Sequence, residues 1–321
     1  MIGMVSETAQ ALREADNFLI LTHRRPDGDT TGCAGALCRG LRQLGKTAYI
    51  LENEGLTGRY KPLAQPCYAP EGFVPDCVVT TDIADYGLLT ENALPYRDRI
   101  SVVIDHHRSN ALRAPVRLVC AEAGACAEVV LKVLDELKVE LTQEIAECLY
   151  IGLSTDTGCF RFSNTTPDTL RAAARCLELG IDGGEINRHL FEVKSWPRFQ
   201  MERILFDTME FFMDGKIALA LIRHMDIERT GATMDDLDSI ASLTRQVEGV
   251  QVGITIIENK DFSCKISVRT TKEVDASAVC AKCGGGGHLR AGGVSLSCGL
   301  VESRARILQA VKDVYAESEL A

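Results

Sequence analysis

Short apolar runs punctuate the first half of this chain, and several of them stop abruptly at acids or histidines. Asn17–Thr22, Lys46–Leu51, Cys77–Thr81, Ile100–Ile104 and Val116–Cys120 read as strands, because they are short, apolar and rich in β-branched residues. Between them lie segments with apolar residues at helical spacing: Ser6–Ala15, Gly32–Leu44, Tyr86–Asn92, Ala125–Leu137 and Thr142–Ser154. Thr30 or Thr31 is expected to cap the second of these, and Ser6 the first. Thr166-Pro167-Asp168 predicts a further helix start, with a capping hydroxyl, proline in the first turn and an acid after it. Strands that alternate with helices predict an α/β domain with a parallel sheet.

The order changes after Leu190. A linker is expected over 189–204, around Trp196 and Pro197. Beyond it the strands come as hairpins. One pair flanks Asp214-Gly215, a strong two-residue turn signal, and another flanks Asn259-Lys260-Asp261. A helix over Met234–Val247 should separate the pairs, and a helix from about Val301 should close the chain. The expected organisation is therefore a parallel-sheet α/β domain over 1–188 and a smaller α+β domain over 205–321, with an active-site cleft between them.

The strand ends carry the chemistry. Phe18-Leu19-Ile20-Leu21-Thr22 leads to His23, Asp27 and Asp29. Cys77-Val78-Val79-Thr80-Thr81 leads to Asp82, and Val102-Val103-Ile104 to Asp105-His106-His107. Asp156 follows a helix in Ser-Thr-Asp-Thr-Gly. Sites in open α/β sheets lie beyond the carboxyl ends of the strands. Any one of these acids alone reads equally well as a helix cap or a surface residue. Together, four carboxylates converging on one edge need cations to neutralise them. Carboxylate and imidazole donors without thiolate suit Mn²⁺ or Mg²⁺, with Zn²⁺ and Fe²⁺ also open. The donors outnumber what one ion takes, so two divalent ions are expected, a set suited to phosphoryl displacement.

Composition narrows the reading. The 321 residues suffice for two domains. The net charge of −10 argues against a long, nonspecific nucleic-acid surface, and leaves a small anionic substrate open. No apolar run approaches the ~18–20 residues that span a bilayer, and Met1–Glu14 lacks the pattern of a secretory signal, so a cytoplasmic protein without membrane contact is expected. The 13 cysteines are scattered and read as buried small apolar residues. Cys280-x-x-Cys283 lacks the second pair that structural zinc needs, and reads as helix packing. The run Gly284-Gly285-Gly286-Gly287-His288-Leu289-Arg290 lets backbone N–H groups approach a ligand, with His288 and Arg290 as phosphate donors.

His23-x3-Asp27-x-Asp29, Asp82, Asp105-His106-His107, Asp156 and the late Gly-Gly-Gly-Gly-His together resemble the DHH phosphoesterases that carry a DHH-associated second domain. The resemblance spans nearly the whole chain and is strongest to the stand-alone nanoRNases, oligoribonucleases that also act as pAp phosphatases. It implies that His23, Asp27 and Asp82 hold one metal, and that Asp29, Asp82, His106 and Asp156 hold the other. It implies that Asp105 orients His106, and that His107 contacts the scissile phosphate or the leaving group. Arg269, Gly286, Gly287, His288 and Arg290 are implied to bind substrate. The expected activity is release of 5′-mononucleotides from short RNA or of the 3′-phosphate from pAp, and a homodimer is one arrangement open to the chain. A phosphodiesterase for linear or cyclic dinucleotides and a nucleotide sensor without turnover stand as alternatives.

Overall fold

The computed structural model describes residues 2–319 apart from Asp238 and Lys272. The chain divides into two units, up to Val193 and from Lys194.

In the first unit, helix α1 (Ile2–Glu14) leads into β1 (Phe18–Leu21), α2 (Gly28–Gln43), β2 (Ala48–Ile50), a short α3 (Lys61–Ala64), β3 (Cys77–Thr81), β4 (Ile100–Asp105) and β5 (Val116–Val119). Then follow α4 (Cys126–Leu137), α5 (Gln143–Asp156), α6 (Pro167–Glu178) and α7 (Gly183–Asn187). The five strands form one parallel sheet in the order β2-β1-β3-β4-β5. The chain reverses its direction of winding at β1, so the β1/β3 edge is a topological switch point. Both faces of the sheet are covered. Phe18 and Ile20 enter a core with the helices, whereas Leu19 and Leu21 enter another with Val78, Ile83 and Val103. That is why β1 is apolar at every position rather than at alternate ones.

Capping sets where the helices begin. Thr142 and Thr166 cap α5 and α6, and Thr166 with Thr169 forms a reciprocal capping box. The cap of α2 differs from the expected Thr30 or Thr31. Asp27 takes that role, accepting from the backbone N–H of Asp29 and Thr30 at 3.0 and 3.1 Å, and α2 starts at Gly28. The first helix begins four residues before Ser6, whose hydroxyl instead donates to Glu136.

The second unit contains α8 (Trp196–Asp207), β6 (Glu210–Phe212), β7 (Ile217–Ile222), α9 (His224–Thr230), α10 (Met234–Leu237), β8 (Val252–Glu258), β9 (Cys264–Thr270), α11 (Ala276–Ala281), β10 (Gly286–His288), β11 (Ala291–Leu296) and α12 (Leu300–Glu319). Its mixed sheet runs β10-β11-β9-β8-β7-β6, with β7 and β8 parallel and the other pairs antiparallel. Ile217 and Leu219 of β7 pack with Val279, Ile307 and Val311, while Ala220 and Ile222 pack with Met201 and Leu205 of α8.

Two expectations change here. The segment read as a linker is largely helical: a π-turn covers Arg188–Glu192 and Ser195 caps α8. The helix expected over Met234–Val247 is divided into α10 and a 3₁₀ segment, Ile240–Arg245. In the glycine run, Gly286, Gly287 and His288 pair with Gly293, Gly292 and Ala291 as an edge strand.

The contact between α2 and α5 is unusually close. A Cβ on Gly32 would lie 2.2 Å from the Cys148 carbonyl oxygen, and one on Gly28 2.4 Å from Thr155 Oγ1. Gly32→Ala must therefore push the helices apart. We expect a loss of ~1–3 kcal/mol in urea unfolding, as for other overpacked cores; an unchanged midpoint would show that this contact is not tight.

Candidate metal centre

The switch point gathers the polar strand ends. His23 and Asp27 leave β1, Asp82 leaves β3, and Asp105, His106 and His107 end or follow β4. Asp29 lies in the first turn of α2 and Asp156 is the last residue of α5. Among the described residues, three overlapping groups present donor atoms close enough to share an ion: His23 with Asp27 and Asp82, Asp29 with His106 and Asp156, and Asp82 with His106 and His107. His106 Nε2 lies 3.5 Å from Asp82 Oδ1, 3.7 Å from Asp156 Oδ2 and 4.0 Å from Asp29 Oδ2. His23 Nε2 lies 3.6 Å from Asp27 Oδ1 and 3.8 Å from Asp82 Oδ2. All six residues implied as ligands thus converge.

Each is held by its own structure. Asp29 caps a helix that is not its own: its carboxylate accepts from the N–H groups of Cys126 and Ala127 at 2.6 and 2.9 Å, where α4 has only Ala125 at the cap position. Asp82 sits at φ +59°, a left-handed conformation that costs a non-glycine residue about 1–3 kcal/mol. Asn164 donates to Asp156 Oδ2 at 3.3 Å and to the Gly124 carbonyl at 2.8 Å.

The two histidines are oriented differently from the expectation. His106 Nδ1 faces the Ala123 carbonyl oxygen at 3.2 Å, so that nitrogen carries the proton and Nε2 presents its lone pair to the acids. Asp105 does not orient the His106 ring. It accepts the His106 backbone N–H at 2.7 Å and faces His107 Nδ1 at 2.9 Å, both through Oδ1. The strand therefore turns the first imidazole inward, and Asp105 fixes the second.

Electrostatics separates these acids. Burial, then the Asp156 charge, raises Asp29 to about 7. Burial and then Asp29 push Asp82 well above the usual carboxylate range, and Asp156 is raised chiefly by burial. Asp105 is buried too and Asp27 is crowded by its neighbours though exposed, but their partners win. His23 and two backbone N–H groups hold Asp27 below its ordinary value, and His107 and Asn110 do so for Asp105. The Asp105 hydrogen bond in turn raises His107.

A divalent cation fits this donor set. Asp82 Oδ1 and His106 Nε2 are buried with no hydrogen-bond partner among the described residues, and unpartnered buried polar atoms are rare. Here both aim into a group of carboxylates that positive charge would stabilise.

The residues implied to bind substrate lie in the second unit. Arg269, in β9, donates to the Val268 carbonyl at 3.1 Å. His288 is exposed at the end of β10. Gly287 has φ +147°, and a Cβ there would meet the Ala291 carbonyl oxygen at 2.5 Å. Arg290 donates to the carbonyls of Thr271 and Val274, so part of its guanidinium shapes the backbone. Cys280 is buried and closely faces Gly292.

Comparison with known proteins agrees with this architecture. Residues 17–153 match the DHH family, N-terminal domain, and residues 214–317 match the DHHA1 domain. A curated relative from Thermus thermophilus, named bifunctional oligoribonuclease and PAP phosphatase NrnA, is 33% identical and aligns over 97% of this chain and 93% of its own. The chain belongs to the DHH family. A Bacillus subtilis relative of the same name is 24% identical over 91% of this DHH protein and 93% of its own length. In fold, the chain is similar to an exopolyphosphatase-related protein from Bacteroides fragilis, with a TM-score of 0.89, 20% identity, and coverage of 99% and 98% of the two chains. No helix among the described residues is long and apolar enough to cross a membrane.

A ligand that neutralises the buried acids must stabilise the fold. Adding Mn²⁺ to chelator-treated protein at ~100 times its dissociation constant should raise Tm by about 5 °C or more. The shift should vanish in Asp82→Ala; an equal shift in that variant would place the ion elsewhere.

Proposed function

We propose that this DHH protein is a dimetal phosphoesterase that hydrolyses short oligoribonucleotides to 5′-mononucleotides and removes the 3′-phosphate of pAp. The observation that carries the reading is the meeting of four carboxylates and two imidazoles around the unpartnered Asp82 Oδ1 and His106 Nε2. The T. thermophilus and B. subtilis relatives support the substrate class.

In this reading His23, Asp27 and Asp82 hold one ion, and Asp29, Asp82, His106 and Asp156 the other, most naturally Mn²⁺ given hard oxygen donors beside imidazole. When bound, such ions place positive charge on the phosphoryl oxygens and favour deprotonation of the attacking water. The protein's own groups do the rest. Asp29 and Asp156 carry helix ends into the site. The His106 tautomer keeps a lone pair aimed inward. His107 is half-exposed, with its side chain 44% accessible and Nδ1 committed to Asp105. Its other nitrogen is available to give a proton to the departing ribose oxygen. Arg269 and His288 offer donors to a substrate phosphate, and the narrow Gly286–Gly287 strand keeps their surroundings free of side chains.

The direct check is Mn²⁺-dependent turnover of pAp, a linear dinucleotide, a short RNA and a cyclic dinucleotide at equal concentrations. Preference for pAp and short linear RNA is expected. Preference for the cyclic compound would instead favour the activity named for another relative, a cyclic-di-AMP phosphodiesterase from Geobacillus thermodenitrificans that aligns over 95% of this chain but 49% of its own. Asp82→Ala should lose ~10³-fold in kcat/KM, since several kcal/mol of charge stabilisation are removed. His288→Ala should raise KM about tenfold with little change in kcat, the loss of one charge-assisted hydrogen bond. An unchanged KM would remove His288 from substrate binding.

A further inference from the structure

Asn110 uses its whole side chain on the catalytic edge of the sheet. Its Nδ2 donates to Asp105 Oδ2 at 2.6 Å and to the Ile83 carbonyl at 3.0 Å. Its Oδ1 accepts from the Leu112 N–H at 3.2 Å and from Arg117 Nη2 at 3.0 Å. An amide offers two donors and two lone pairs, and all four are used here. That also settles which end is nitrogen. Turned over, the amide would set oxygen against a carboxylate and a carbonyl, and NH₂ against two donors.

The backbone of Asn110 joins the same chain of contacts, donating to the His107 carbonyl at 3.0 Å. One residue thus holds His107 by its main chain and, through Asp105, by its ring. The same amide ties down Ile83, which follows Asp82 with its left-handed backbone. Arg117 fixes the amide from the exposed edge of β5.

We propose that Asn110 is a positioning residue for hydrolysis, aiming the His107 imidazole at the leaving oxygen through Asp105, with Arg117 locking the amide. The inference rests on the phosphoesterase reading above. In that reaction water forms a new bond to phosphorus and the bond from phosphorus to the ribose oxygen breaks. The ribose oxygen leaves as a strongly basic alkoxide and takes a proton from His107 Nε2. The proton released by water restores the imidazolium. An aryl oxide leaving group is stable without that proton, so it is indifferent to where His107 points.

Leaving-group dependence is therefore the test. The native protein and Asn110→Ala, Asn110→Asp, Arg117→Met and His107→Ala would be assayed with Mn²⁺ on the linear dinucleotide pApA and on the p-nitrophenyl ester of thymidine 5′-monophosphate. Asn110→Ala and Asn110→Asp should lose ~100-fold in kcat on pApA, the scale of one positioned proton donor, with KM and the nitrophenyl rate within about threefold of native. His107→Ala should lose at least as much in kcat on pApA, and Asn110→Ala should add nothing to that loss. Arg117→Met, at the surface end, should show the split at smaller size even if Asn110→Ala folds poorly. In metal-free protein, the His107 Nδ1–H resonance should lose its protection from exchange in Asn110→Ala while the His106 signal keeps its own.

Equal losses on both substrates, or no loss on pApA, would overturn the proposal. A native protein inactive on both substrates would overturn the phosphoesterase reading and this inference with it. A native protein active on both, with no split in any variant, would overturn this inference alone.

Discussion

The approach of α2 to α5 is the constraint on which the centre depends. Gly28 and Gly32 on one helix and Gly152 on the other leave no room for side chains between them. A Cβ on Gly152 would stand 2.7 Å from Asp29 Oδ1. Because the helices come so close, the first turn of α2 and the last residue of α5 reach the same point. Asp29 and Asp156 then meet the strand ends of the switch point. Any wider packing would leave two carboxylates outside the group.

That arrangement concentrates negative charge where water is scarce. Asp29 and Asp82 are buried, and both are pushed toward the neutral form by burial and by other acids nearby. Asp29 is partly compensated by the two N–H groups at the start of α4, a helix end that favours negative charge. Asp82 Oδ1 has no such donor among the described residues, and its backbone is strained as well. A residue held at that cost is one that the surroundings need in place. The structure thus separates the acids that their partners hold in the charged form, Asp27 and Asp105, from Asp29, Asp82 and Asp156, which burial pushes toward the neutral form.

Much of this was legible in the sequence. The strands of the first unit are apolar runs that end at polar residues, because parallel strands are buried on both faces and expose chemistry only at their ends. The spacing of His23, Asp27 and Asp29 across Pro26 and Gly28 marked a turn with a purpose. What the sequence hid was the set of partners. Asn110 and Asn164 look like ordinary turn residues, and the Ala123 carbonyl that orients His106 belongs to no motif. Asp29 as the cap of α4 joins residues 97 and 98 positions apart, a pairing that no local pattern carries. Asp27 as the cap of α2 is not singled out by composition, because Thr30 and Thr31 suit that role equally well. In the second unit, the strand formed by Gly286, Gly287 and His288 carries no pattern of its own, since glycine disfavours strands and only edge pairing with β11 makes it one.

The account stands on one claim, that these six side chains form a single centre for two divalent ions. Metal content after dialysis against Mn²⁺, measured by inductively coupled plasma mass spectrometry on the native protein and on Asp156→Asn, tests it most directly. The account predicts two ions per chain in the native protein and a lower content in the variant. A native protein without tightly held metal, or a variant that retains both ions, would contradict it.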